Sequence, residues 1–250
     1  MIHATIAIWM RHMRKFFRNR EELGGLLIQP ILWVGLFGIG MARMVNTQTD
    51  YVTFMLPGIL ALTALGGAAG GGMMFLDERL RGILREYQVA PIPRLSILLG
   101  HIAATVSKAF FQISIVILVG LTVGVDWSFG IGSFVGALGF LLAFTLGFCG
   151  LSLGIAIRSK SIMGYHGMLF LFNLPLLFAS NALYPLSEAP IWMQWLAYAN
   201  PATWYIDATR TLLQGSPSMI PLWGSGVALV VFASVSVGFA LRRFRALTTA

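Results

Sequence analysis

Chemistry in a 250-residue chain needs reactive groups at workable spacing, and here the candidates are few. His3, His12, His101 and His166 form neither an HExxH pair nor any other close ligand spacing, so their order reveals no metal site. Cys149 stands in an apolar run without an evident activating partner, and no G-x-S-x-G elbow is present. Residues 154–161, GIAIRSKS, come near a phosphate loop. Ser159 takes the place of its second glycine, however, and the stretch ends a hydrophobic run instead of following a strand. Lys108 is a cation in the middle of an apolar segment, which marks a functional position: it touches substrate, or pairs with a carbonyl or polar neighbour. These residues predict no catalytic group, no metal and no cofactor bound by the chain itself.

Charge concentrates instead in one stretch, LDERLRGILREYQVAPIPR, residues 76–94. Leu80, Ile83, Leu84 and Tyr87 fall at i, i+3, i+4 and i+7, the apolar stripe of one helix. Arg81 and Arg85 share the other face, Asp77 stands four residues before Arg81, and Pro91 and Pro93 end the helix. The spacing predicts a short amphipathic helix between two hydrophobic runs. Such a helix either rests on lipid or serves as a dock through which a soluble partner pushes on the runs it joins.

The surrounding composition identifies those runs. The chain is 57% hydrophobic and only 10% charged, with mean hydropathy +0.80. A soluble domain carries about 25% charged residues, so an integral membrane protein is the expected class. Six apolar runs are long enough to cross: 24–44, 52–76, 95–123, 131–157, 161–181 and 219–241. Net charge is +8, and all 17 Lys/Arg except Arg43, Lys108 and Arg210 lie before the first run, in the second and fourth connectors, or in the tail. By the positive-inside rule both termini are cytoplasmic, and the basic excess faces anionic lipid, not nucleic acid.

Before the first run, Ile2, Ile6, Trp9, Met13 and Phe16 recur at helical spacing, mostly opposite Arg11, Arg14, Lys15 and Arg18. That pattern predicts an amphipathic helix along the inner membrane surface, and the basic cluster follows the apolar residues, unlike a signal peptide. Gly66/Gly70, Gly67/Gly71, Gly120/Gly124, Gly132/Gly136 and Gly150/Gly154 are spaced for close helix packing. Residues 182–218 hold three tryptophans and three tyrosines in two segments too short to cross, broken at Asn200-Pro201. They read as short helices dipping in from the outer face, with Asp207 and Arg210 at pairing distance i, i+3.

FMLPGILALTALGG, followed by FLDERLRGILREYQVAPIPRLSILLG, resembles the central region of type-2 ATP-binding-cassette (ABC) exporter permeases. That family includes the daunorubicin-resistance permeases and the nodulation-factor and polysaccharide exporters. The resemblance runs through Pro57 and Gly58, through Glu78, Arg79, Gly82 and Glu86, and through Val89, Ala90 and Pro91. NPATWYIDATRTLLQG resembles the family's Asn-Pro … Asp … Arg … Gly pattern through Asn200, Pro201, Asp207, Arg210 and Gly215. Arg85 departs from the acid common in relatives.

The resemblance implies an all-α integral membrane fold forming a single domain of six transmembrane helices. It implies an interfacial helix over 1–22, a coupling helix over 77–94 and re-entrant outer helices over 182–218. Two copies of a separate ABC ATPase would bind ATP and Mg and supply the hydrolysis. Glu78, Arg79, Arg81, Gly82, Arg85, Glu86 and Tyr87 would form the coupling contact with them. A second permease chain, in a homo- or heterodimer, would enclose the export route along the first and fifth spans. Gln29, Val34, Phe172 and Asn173, with Lys108, are the pathway candidates. The expected setting is the prokaryotic plasma (inner) membrane, and the expected cargo is an amphipathic or lipid-linked molecule. A lipo-oligosaccharide or polysaccharide exporter is the alternative within the class. A non-transporting assembly or sensory protein is the alternative outside it. An ion-driven transporter would carry acids within its spans, and these spans hold none.

Overall fold

The computed structural model describes residues 1–33, 35, 51–89, 92–122, 130–184, 186 and 189–249, and these are helical apart from turns and short connectors. In chain order the helices are α1 (Ile2–Arg18), α2 (Arg20–Leu32), α3 (Tyr51–Leu80), α4 (Ile83–Val89) and α5 (Arg94–Thr122). There follow α6 (Ile131–Ala156), α7 (Ile162–Phe178), α8 (Ile191–Tyr198), α9 (Pro201–Gln214) and α10 (Leu222–Thr249). Four of them, α3, α5, α6 and α10, are long and apolar enough to cross a membrane. Helix α7 is apolar but has 17 residues. The first expected run, 24–44, starts inside α2, and most of its remainder lies outside the described residues.

Helix α3 is the hub, in contact with α4, α5, α6, α7 and α9. Small residues let its neighbours come close. Gly67 and Gly71 face Ala109, Gln112 and Thr105 of α5, whereas Gly66 and Gly70 on the adjoining face have no neighbour within 4 Å among the described residues. Helices α6 and α10 make the most extensive contact: a methyl added at Gly150 would stand 2.6 Å from the backbone of Ser236 and Val237. Gly147 and Gly154, one turn to either side, receive the rings of Phe232 and Phe239. Between apolar helices in lipid, such approach is what dispersion needs to hold the pair.

The basic segments gather at one end of the bundle. The Arg79 guanidinium donates to the carbonyls of Ile157 and Ser159, tying the end of α3 to the connector after α6. Phe75 meets Phe244 near the end of α10, and Arg11 of α1 reaches Glu78. Helix α1 runs alongside the first half of α5, because their contacts advance in step. Ser96 donates to Met1 O (3.2 Å), Trp9 donates to Ser107 (3.0 Å), and the rings of Phe16 and Phe111 meet edge to face. Ile8, His12 and Phe16 form its buried stripe, while Ile2, Ile6, Met10 and Phe17 remain exposed on another side. The expected amphipathic helix is therefore present, but Phe16 and part of Trp9 cover protein.

At the far end, α9 is set by its caps. The Asn200 side chain accepts from Ala202 N (2.9 Å) and donates to Leu176 O (2.7 Å) and Ala179 O (3.1 Å), with Pro201 opening the helix. Gly215, at φ 67°, ends it in the left-handed conformation that glycine adopts without strain. Helix α9 packs on α3, α6 and α10 with Tyr205 buried and stacked on Phe144, so it is part of the bundle.

Gly150→Ala should lower the thermal midpoint of the purified protein by several degrees, since overpacking costs about 1–3 kcal/mol. Gly66→Ala, at an open position, should leave it unchanged. Equal midpoints for the two variants would show that α6 and α10 do not need the close approach.

Candidate functional site

The charged stretch is two elements joined by a bend. Helix α3 continues through Asp77, Glu78 and Arg79 to Leu80, so these residues extend the long apolar helix and do not begin a new one. The chain turns at Arg81-Gly82, and Gly82 has φ 81°, a conformation that side chains with a Cβ resist. The seven-residue α4 follows, and Pro93 precedes α5. The expected single helix over 77–94 is thus corrected: the stripe through Leu80, Ile83, Leu84 and Tyr87 crosses the bend. Leu84 is buried, Leu80 and Val89 are exposed, and Tyr87 is half-buried with Arg11 over its ring at 5.5 Å.

The charged residues divide by direction. Arg81 and Glu86 are exposed, and Arg81 Nε donates to Asp77 Oδ1 at 2.8 Å. Arg79 points inward to the 157–159 carbonyls. Arg85 is placed by its backbone alone. Glu78, expected to offer a surface contact, is only 3% exposed and cannot meet a partner in this arrangement. Its carboxylate faces Arg11 Nη1 (3.2 Å), His101 Nε2 (3.2 Å) and His12 Nε2 (3.9 Å). Burial first, and then the neighbouring His101, press His12 down to about 3, so its ring is neutral.

No spacing rule could have found this cluster, because His12, Glu78 and His101 come from α1, α3 and α5. One signal was available: His101 is a polar residue inside the apolar run 95–123, Glu78 stands two residues past the run 52–76, and His12 shares the helical stripe of Ile8 and Phe16.

Lys108 lies beside α1, with its ammonium 4.8 Å from the Phe16 ring centre. Together with Lys15, Gly66, Gly70 and Gln112 it borders an open cavity of about 570 Å³ between α1, α3 and α5. Its neighbourhood is therefore the basic helix, at the charged end of the bundle. Phe172 and Asn173 of α7 border a narrow recess next to Leu65 and Phe148, and Phe172 is half exposed. Val34 lies outside the described residues, and Gln29 is placed by its backbone alone.

In the outer motif, Asp207 and Arg210 do not bond to each other. The Asp207 carboxylate accepts from the amides of Met219 (3.0 Å) and Ile220 (3.1 Å), holding the approach to α10. Arg210 donates to Phe54 O and Asn181 O, both at 3.0 Å, and stacks on Phe54 at 4.1 Å. Two separate backbone tasks replace the expected i, i+3 pair.

A family described as ABC-2 type transporter matches residues 3–213. The chain is 30% identical over 220 residues to a protein of Cyanophora paradoxa named as the transport permease ycf38, covering 86% of this chain and 74% of that one. It is 24% identical over 243 residues to the daunorubicin resistance ABC transporter permease protein DrrB1 of Streptomyces coeruleorubidus, covering 96% and 84%. It is 28% identical over 206 residues to the multidrug ABC transporter permease YbhR of Escherichia coli K12, covering 80% and 54%. With a match over most of its length and apolar helices suited to a multi-pass protein, this chain belongs to the ABC-2 type transporter family.

Proposed function

We propose that this chain is the membrane-spanning permease subunit of an ATP-driven exporter, moving an amphipathic or lipid-linked molecule out of the cytoplasm or the inner leaflet. The observation that carries the reading is the bent α3–α4–α5 element at the basic end of a bundle that belongs to the ABC-2 family. Six spans fit the chain: the run that starts in α2, then α3, α5, α6, α7 and α10. Both termini face the cytoplasm of a prokaryotic inner membrane, with α1 in the interface and α8 and α9 forming the outer re-entrant pair. The exposed Trp192 and Trp195 of α8 suit a headgroup layer.

In this reading α4 docks in a cleft of a separate ABC ATPase, and two ATPases serve two permease chains. Arg81 and Glu86 face the cleft, with Gly82 as the corner. Arg79 and Glu78 have the complementary task of fixing the base of the dock to the connector after α6 and to α1. Closure of the ATPases on ATP and Mg then moves α3 and α5 as a joined pair, the two-state element that coupling requires. The names of DrrB1 and YbhR support a drug-like cargo. The exposed face of α7, with Met168, Leu171 and Phe172, supports a second chain meeting it there.

The purified chain should hydrolyse no ATP by itself and should support hydrolysis only with its ATPase subunit. Turnover by the tag-free permease alone, undiminished by further purification, would contradict the division of labour.

Glu86→Lys should leave the amount of permease in the membrane unchanged while weakening ATPase binding about tenfold, the effect of about 1.4 kcal/mol. Unaltered co-purification and unaltered export would remove α4 from the docking surface.

A Phe172→Cys change in a Cys149→Ser background should cross-link two chains in native membranes, at a yield that changes with nucleotide. If neither this position nor its neighbours on α7 cross-link while export persists, the chains meet elsewhere.

A further inference from the structure

The cluster around Glu78 has more ligating capacity than its hydrogen bonds use. His12, Glu78 and His101 are 1%, 3% and 0% exposed, and one ligand atom from each lies within 4.8 Å of the others. His12 Nε2, His101 Nε2 and Glu78 Oε2 are all buried without a well-formed hydrogen bond. Buried polar atoms nearly always find partners, and here three atoms able to ligate one ion converge within 4.8 Å of one another. The surroundings are firm: the Phe75 ring stands edge-on to His101 at 5.2 Å, and the two imidazoles are 4.5 Å apart.

We infer that His12, Glu78 and His101 form a binding site for a divalent transition-metal ion of the zinc class. Two imidazoles and one carboxylate are a known zinc donor set, with a fourth position left to water. Bonds of about 2.0–2.1 Å in tetrahedral geometry put ligand atoms about 3.3 Å apart. Glu78 Oε2 and His101 Nε2 already stand at 3.2 Å. Side-chain rotation of about an ångström brings His12 in, since its Nε2 is 3.9 Å from the nearer carboxylate oxygen. Calcium and magnesium do not suit the site, because they require shells of oxygen that one carboxylate cannot supply.

Arg11 is the competitor. Its guanidinium holds Glu78 Oε1 at 3.2 Å, yet the side chain is 45% exposed and already lies over Tyr87. It can release the carboxylate to an ion without losing its ring contact. His101 Nδ1 also lacks a partner, and a missing outer-shell bond costs about 10–100-fold in affinity. The expected affinity is therefore modest. A bound ion would join α1 to α3 and α5 one turn before the Gly82 bend. Any effect on coupling rests on the permease reading; the binding does not.

The test uses the full-length, tag-free chain in nanodiscs, stripped with chelator and titrated with Co²⁺ alone. One ion per chain should bind, with the visible ligand-field absorption of a four-coordinate site, and Zn²⁺ should displace it. His101→Gln should weaken binding at least tenfold. Arg11→Gln, a change at a half-exposed position, should tighten it several-fold, a gain that no damaged fold would produce. Removing the exposed His3 and His166 together should change nothing. Absence of saturable absorption in both the parent chain and Arg11→Gln would overturn the site. So would Co²⁺ binding that survives His101→Gln, or that disappears with His3 and His166. None of these outcomes depends on ATPase coupling, so the permease reading stands or falls separately.

Discussion

A helix that ends inside an apolar bundle leaves its last carbonyls without a following amide, and in lipid no water replaces it. This chain meets that constraint with long polar side chains sent from a different helix. Arg79 reaches the carbonyls of Ile157 and Ser159 after α6, Asn200 those of Leu176 and Ala179 at the end of α7, and Arg210 that of Asn181 beyond it. Arg210 also reaches Phe54 O, and Gln214 reaches Thr53 O, whose i+4 residue Pro57 has no amide hydrogen to give it. Each bond joins elements distant in sequence, so the same few residues satisfy loose backbone ends and fix the order of the bundle. Where the helices are unbroken, the glycine faces of α3 and α6 take over.

The two ends use this device for different purposes. At the outer end, caps and carbonyl bonds hold α9 against α3, α6 and α10, and Asp207 secures the chain as it approaches α10. At the basic end, the bonds hold the base of a bend whose far side is left exposed. Leu80, Arg81, Glu86 and Val89 present a mixed apolar and charged surface beside the rigidly held Glu78 and Arg79. The change from a held base to an exposed face occurs over three residues, from Arg79 to Arg81.

Much of this was legible in the sequence. The long apolar runs at 52–76, 95–123, 131–157 and 219–241 match helices α3, α5, α6 and α10, because length and hydropathy are local properties. The break at Asn200-Pro201 and the stop at Gly215 were legible for the same reason, as capping residues act on their own turn. What local reading missed was direction. Glu78 and Arg81 lie in one charged run, yet one is buried and the other exposed, which depends on where α1 and α5 stand. The Asp207–Arg210 spacing suits a pair, but Asp207 takes the amides of Met219 and Ile220 and Arg210 the carbonyls of Phe54 and Asn181, partners that lie outside α9. The overlapping glycine pairs of α3 looked alike until the position of α5 separated Gly67 and Gly71 from Gly66 and Gly70.

The Glu78 cluster also constrains how the protein is made. Its carboxylate draws one partner from the first turns of the chain and another from α5, with α3 in between. During synthesis α1 emerges before α3 and α5 but cannot complete its buried face until His101 and Phe111 have followed. Until then Ile8, His12 and Phe16 need a temporary cover, and the membrane surface or the insertion machinery is the available one. Helix α1 is thus translated before α3 and α5 but reaches its final contacts only with them. Biogenesis of the bundle closes around its N-terminus and does not grow outward from it.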